Sequence, residues 1–404
     1  MKKVPVSFII AAAVMILLFS ILLIVAIPYF FQPPQFSGNM GATFGSQTVM
    51  AKVTDIVDEG QINLNGKDQL YQVMRVQVLE GDYKDISFQI DYGKRQLRND
   101  NFRFVPGDEV YVEVDKAPDN TLQANYVDYV RSKPLLILLI TFILSMLVMG
   151  RWKGLGSLVS LGFSMVMIIG YVIPHILAGE DPVKVSLIGS IILLMATLYL
   201  TYGWNLKTHA SAVSIVVSLL LTGALSLFFV YLTRLTGYGD ENAGYLMQFS
   251  SVAIDPRGLL LGGMIIGSLG VLDDLVTSQS AAVVEIHDAN PSLGFRLTFQ
   301  KAMRIGQDHV AATVNTLVLA YTGAALPLLL IFTLGNGSYS FFINSEFLAE
   351  EIVRTLVGSL GLIAAVPIST FLATVIIIYQ ERFGQWRILL GPETSDEIGH
   401  GHAH

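Results

Sequence analysis

The chain of 404 residues contains no cysteine. That excludes disulfides, thiolate metal sites and cysteine nucleophiles, and it leaves the redox compartment unread. Charge is scarce as well. Asp, Glu, Lys and Arg make up 14% of the residues, against about a quarter in a soluble domain, while 52% are hydrophobic. Catalytic signatures are missing too: there is no HExxH zinc motif, no Walker loop and no GxSxG elbow. An intramembrane aspartyl protease needs two facing aspartates from separate spans. The GxGD sequence of such enzymes is absent, and Asp308 is the only nearby candidate partner. The chain is therefore expected not to be an enzyme, and no catalytic residue or cofactor is identified.

What remains is apolar. Several runs approach the roughly 20 residues that cross a bilayer core, so the lipid bilayer is the first expected partner. The expected fold is an α-helical polytopic membrane protein of about eight transmembrane helices, with a small β-barrel-like domain outside the cytoplasm. Residues 1–28 read as a first anchoring helix: Lys2 and Lys3 precede an apolar run longer than a signal-peptide core of about 7–15 residues. Residues 29–46 form a linker rich in Pro, Gly and Ser.

Residues 47–131 change character. Met74, Val76 and Val78 alternate with polar neighbours, as do Ile86, Phe88 and Ile90, and Val110, Val112 and Val114. Turn pairs such as Asn65-Gly66 separate these runs. Short strands at this spacing predict an OB-like or SH3-like barrel. Its mixed charges and lack of a basic aromatic stripe argue against nucleic acid. A cap or a docking module for a protein partner fits better.

Seven further spans follow in 132–381, at about 134–149, 155–177, 183–202, 210–232, 258–286, 309–334 and 347–379. Asn290-Pro291 opens a segment, about 291–306, with Phe295, Phe299, Ala302 and Met303 on one face. It reads as an interfacial amphipathic helix. Lys and Arg concentrate in alternate connections, at Arg151 and Lys153, Lys207, Arg296 to Arg304, and Arg382 and Arg387. By the positive-inside rule both termini are cytoplasmic and residues 29–133 lie outside. Small residues four apart, Gly156, Ser160 and Ser164, and Gly263 and Gly267, mark close helix packing. The tail, 382–404, ends in GHGHAH, where His400, His402 and His404 form a weak transition-metal candidate or an incidental end.

The functional suspect is 258–286, where an apolar glycine-rich run places Asp273 beside Asp274. An aspartate at hydrocarbon depth costs roughly 2.5–3.5 kcal/mol on insertion scales, so a partner, a cation or water must compensate. Asp273 and Asp274 are 100° apart on a helix, so at most one is a central ligand; Asp274 lines up with Ser278. Asn315 and Thr316 in the seventh span and Thr370 in the eighth, just after Pro367, lie at comparable depth. Together they predict one polar layer that binds a cation or proton in the inner half of the membrane. Asp308 and His309 mark its inner mouth. Glu350, Glu351 and Arg354 at the outer start of the last span read as an outer vestibule, or as an intrahelical Glu350–Arg354 pair. The bland alternative ends the helix near Leu272 and leaves the carboxylates in the cytoplasm. Serine and threonine in a span also ordinarily bond their own helix.

Three segments, GSLGVLDDLVTSQSAA (267–282), GQDHVAATVNTLVLAYTGAALPLLL (306–330) and EEIVRTLVGSLGLIAAVPIST (350–370), resemble the YibE/F-like family of bacterial multi-pass membrane proteins. The resemblance implies an integral plasma-membrane protein with an extracytoplasmic N-terminal domain. It brings no activity, substrate or site residue. The expected function is a gradient-driven permease or channel-like protein for an ion or small solute. The rival is a membrane scaffold or accessory subunit whose outer β domain docks a partner.

Overall fold

The computed structural model of the chain describes residues 48–95, 102–116, 121–249, 252–334 and 338–383. The first anchoring helix, the linker and the His-rich tail lie outside the described residues. The chain divides into two compact units, residues 37–149 and a second unit that takes in residues 150–404.

The first unit holds a five-stranded antiparallel sheet in the order β3-β2-β1-β4-β5. The strands are β1 (Thr48–Leu64), β2 (Lys67–Val78), β3 (Ser87–Tyr92), β4 (Glu109–Lys116) and β5 (Leu122–Tyr129). Asn65 and Gly66 join β1 to β2 with φ of 54° and 82°, the double positive φ of a type I′ hairpin whose twist matches its strands. Two register shifts, at Val53/Asp55 and Ile56/Asp58, bend the long β1. This lets it pair with β2 along its length and with β4 at its start. The alternation predicted from sequence holds at Met74, Val76, Val78, Val110, Val112 and Val114, all buried. Ile86 departs from it; it precedes β3 and is exposed.

Gln72 sits in this core with no solvent exposure. Its Oε1 accepts from Phe104 N–H at 2.7 Å, and its Nε2 donates to Phe104 C=O at 3.1 Å. These bonds pin the loop that carries Phe104 against the rings of Tyr92 and Tyr126. Gln72→Leu should therefore cost about 2 kcal/mol or more, because both Phe104 groups lose their partner inside an apolar core. The urea midpoint of the 47–131 segment should fall with an unchanged slope.

From Ser132, within the first unit, onward the described chain is helical. The helices are α1 (Ser132–Met167), α2 (Ile173–Leu177), α3 (Pro182–Tyr202), α4 (Leu206–Leu232), α5 (Glu241–Phe249), α6 (Pro256–Ala289), α7 (Phe295–Ala324), α8 (Leu326–Leu334), α9 (Tyr339–Asn344) and α10 (Glu346–Ile378). A π-helical turn, Ile168–Val172, links α1 to α2. Among the described residues six stretches are long and apolar enough to cross a membrane, and α7 with α8 is a seventh if that pair, bent by 57°, is one span. The sequence predicted a loop between the spans at 134–149 and 155–177. Instead the backbone stays helical through it, although the two apolar windows persist as Ser132–Gly150 and Gly154–Leu177.

Two other expectations change. The segment at 291–306 is no separate interfacial helix: from Phe295 it is the first half of α7. Its aromatic face is taken up by protein, with Phe295 against Phe371 and Tyr379 of α10. Of the two glycines on α6 expected at close contacts, Gly267 makes one, with Tyr321 Oη 3.4 Å from a built β-carbon, but Gly263 does not. A β-carbon on Gly263 would meet nothing within 4 Å, whereas one on Gly262 would lie 2.5 Å from Ser186 Oγ. Ser160 does make the expected close contact, 2.8 Å from Thr201 Oγ1.

The bundle centre is formed by α4, α6 and α10, with α3 and α7 on its flanks. Its largest buried cluster joins Leu194, Ile215, Leu219, Leu272, Leu275 and Leu362.

Candidate functional site

Helix α6 is set up locally by Asp255, whose carboxylate caps it by accepting from Arg257 N–H at 3.1 Å, and by Pro256 at its first position. Asp273 and Asp274 are residues 18 and 19 of its 34. The helix does not stop near Leu272. Leu275, Val276, Thr277, Gln279, Ser280, Val283 and Val284 beyond the pair are all buried. The carboxylates therefore occupy the middle of a packed helix.

They face different neighbours. Asp273 is partly buried, and its Oδ1 is inaccessible with no hydrogen-bond partner among the described residues. It falls on the same helical face as Gly262, eleven residues away, which abuts α3. Asp274 is exposed, on the face that carries Gly267 and Ser278 toward α7. Along that face Ser278 Oγ and His309 Nδ1 are 3.2 Å apart, and Tyr321 Oη lies 3.4 Å from a β-carbon built on Gly267. On the Gly267 side of Asp274, Thr222, Ser226, Ser268, Tyr321 and Arg354 line a cleft with about 10 Å³ of free space, room for about one water molecule and no organic solute.

The single polar layer expected from sequence is divided. Ser278 reaches His309, but its hydroxyl also donates to Asp274 C=O at 2.8 Å. Asn315 and Thr316 are exposed, and Thr316 donates to Ala312 C=O at 3.0 Å. Asp308 is exposed and His309 is half-buried. Thr370 is fully buried and belongs to a separate junction.

That junction centres on Gln279, which sequence reasoning did not single out. Its Nε2 donates to Ala302 C=O of α7 at 2.8 Å and to Thr370 Oγ1 of α10 at 2.7 Å, so one side chain ties three helices. Thr370 in turn donates to Val366 C=O at 2.6 Å, and α10 runs helically through Pro367. The available signal was the pair Ala302 and Gly306, small residues four apart where α7 must come close.

At the other end of α10 the acids are consumed by structure. Glu346 accepts from Thr236 N–H, from Thr236 Oγ1 at 2.6 Å and from Gly237 N–H at 3.1 Å, while Glu350, 3% exposed, accepts from Gly239 N–H at 3.0 Å. Gly237 has φ +87°, and a β-carbon there would run into the Pro256 carbonyl. Arg354 pairs with Glu351 at 2.5 Å, not with Glu350 as the sequence suggested. Of the predicted vestibule acids Glu350 joins Glu346, which the sequence did not single out, in clamping the 236–239 loop, while Glu351 holds Arg354. Glu346→Ala should speed cleavage of that loop by added protease about ten-fold or more, the loss of about 1.4 kcal/mol of charge-assisted bonding.

Among the described residues no group of three or more His, Asp or Glu could hold a metal ion. The YibE/F-like protein family profile matches residues 138–379, which is 242 of the 404 residues. No curated protein and no solved structure matches the chain.

Proposed function

The chain belongs to the YibE/F-like family, and we propose that it is a gradient-driven permease or channel-like protein for a cation, a proton or a small solute. One observation carries the reading: Asp273 stands halfway along a buried helix with a carboxylate oxygen shielded from solvent and unpartnered by any described residue. Such a group costs several kcal/mol unless something else engages it, and purely structural helices avoid it. The exposed Asp274 beside it, with Ser278 and His309 below, adds a polar track along the α6–α7 face.

The absence of a nucleotide-binding motif in the sequence supports an ion gradient, or a separate subunit, as the energy source. We read no catalytic role in the chain. The apolar helices and the charge bias support a multi-pass plasma-membrane protein with both termini in the cytoplasm and residues 29–133 outside. The strand order and the bent β1 support an OB-like barrel for the outer domain.

The test is flux of protons and of monovalent and divalent cations into proteoliposomes. Wild-type protein should exceed protein-free vesicles, and Asp273→Asn and Asp274→Asn should each reduce the flux. Undiminished flux in both variants would remove these carboxylates from the mechanism.

A further inference from the structure

Buried hydroxyls in this bundle follow two patterns. On α4, Ser214, Ser218, Thr222 and Ser226 each donate to the carbonyl four residues back, at 2.7–2.9 Å. This is the ordinary fate of serine and threonine in a helix. Ser186 and Ser190 on α3 and Ser280 on α6 are 1%, 2% and 0% exposed, yet their hydroxyls have no partner among the described residues. With Asp273 Oδ1 they make four orphaned polar atoms.

These four lie along one helix pair. A β-carbon on Gly258 would sit 3.2 Å from Pro182 Cδ, and one on Gly262 would sit 2.5 Å from Ser186 Oγ. Helices α3 and α6 are therefore parallel and in step, four residues for four. Continuing that register sets Ser190 level with Ile266 and Thr197 level with Asp273. On α6, Gly262, Leu269, Asp273 and Ser280 share one face by their spacing. Leu194 and Leu269, which belong to one buried cluster, fall between Ser190 and Asp273.

We propose that the α3–α6 seam is a proton route in which Ser186 and Ser190 hold water on one side, Asp273 takes up and releases the proton, and Ser280 serves the other side. This deepens the transport reading and rests on it. The spacing selects the ion. Ser186 and Ser190 are one helical turn apart, about 6 Å along the axis. A metal ion binds oxygens at about 2–2.6 Å and cannot bridge them, whereas a file of two waters linked by hydrogen bonds of about 2.8 Å can. A proton moves along such a file without a cage of ligands. Asp273 gains it from water on the Ser190 side as the neutral acid and returns it to water on the Ser280 side. Leu194 and Leu269 close the route between these halves.

The helices packed on α6 bring these other ionisable groups toward its middle: Asp274 on α6 itself, Tyr199 on α3, His209 on α4, His309 and Tyr321 on α7, and Arg354 of α10 at the cleft that Gly267 and Val271 line. Helix α10 has none from Thr355 to Ile378.

The experiment uses full-length protein in liposomes containing a pH-sensitive dye, under an imposed proton gradient. Leu269→Ala should raise proton flux about ten-fold over wild type, as expected if the barrier falls by about 1.4 kcal/mol. Adding Asp273→Asn should remove the increase and bring flux down to that of Asp273→Asn alone, whereas adding Ser218→Ala, which removes a satisfied hydroxyl, should not. A leak that survives Asp273→Asn, or a folded Leu269→Ala protein without a leak, overturns the route. Because the chain has no cysteine, Ser190→Cys and Ser280→Cys provide a check that leaves Leu269 intact. Both should react with a small hydrophilic thiol reagent, and protection of either one contradicts the proposal. Cation flux that falls in Asp273→Asn while the Leu269→Ala leak is indifferent to Asp273 would spare the transport reading and remove only the proton route.

Discussion

Gly306→Leu should prevent the second unit from assembling. Helix α7 buries Thr298, Ala302 and Gly306 most deeply, and Met303, Val310, Val314 and Leu317 pack part-buried on the same core, so the contact at Gly306 sets how close the helix comes. A single β-carbon at 306 would already lie 2.5 Å from Val366 Cγ1 and 2.8 Å from Gln279 Oε1. Carbon atoms in contact rest about 3.5–4.0 Å apart. Neither neighbour can yield easily. Val366 is 2% exposed, and the Gln279 amide is fixed by Ala302 and Thr370. Overpacking of this kind costs about 1–3 kcal/mol or more, and each displaced hydrogen bond adds about 1 kcal/mol. The variant should elute as aggregate, or melt well below wild type. Gly306→Ala should be milder, and Val366→Ala should partly restore it, with a coupling energy of at least about 0.5 kcal/mol in a double-mutant cycle. Additive effects would show that the two residues do not meet.

Asp273→Leu should move stability and transport in opposite directions. A leucine fills nearly the same space and removes the orphaned carboxylate oxygen. The thermal midpoint should rise, by an amount corresponding to about 1–3 kcal/mol. Flux should fall at least about ten-fold, because the group that engages the ion is gone. A residue retained for packing would lower both quantities. A rise in stability with flux unchanged would show that the carboxylate is simply a tolerated defect. Asp274→Leu should not stabilise comparably, since Asp274 is exposed.

Much of the architecture can be read from local pattern. Strand alternation at Met74 to Val78 and Val110 to Val114, the Asn65-Gly66 turn and the long apolar runs are one-dimensional signals that the structure keeps. Breaks between helices were less legible. The polar stretch around Arg151 and the amphipathic stretch before His309 both look like connections, yet the backbone remains helical through them. Helix propensity and continued hydrogen bonding prevail there, and neither depends on apolar periodicity.

The candidate site was legible as residues and illegible as a constellation. Adjacent aspartates in an apolar run are visible to anyone reading the chain, and their divergence by 100° follows from helix geometry. Which neighbour each faces depends on α3 and α7 settling on either side of α6, and no spacing within 258–286 reports that. Depth alone placed Thr370 with the aspartates, whereas rotation about α10 assigns it to Gln279. Glu350 looked like a vestibule acid or the partner of Arg354 because its actual partner, the Gly239 N–H, is a backbone group 111 residues away.

The most direct measurement is aqueous access to position 273 itself. In the cysteine-free chain, Asp273→Cys should react with a small hydrophilic thiol reagent in sealed proteoliposomes, at a rate within reach of that for Asp308→Cys at the exposed start of the track. Complete protection of Asp273→Cys while Asp308→Cys reacts would mean that no water or ion reaches the carboxylate, and the transport account would fail.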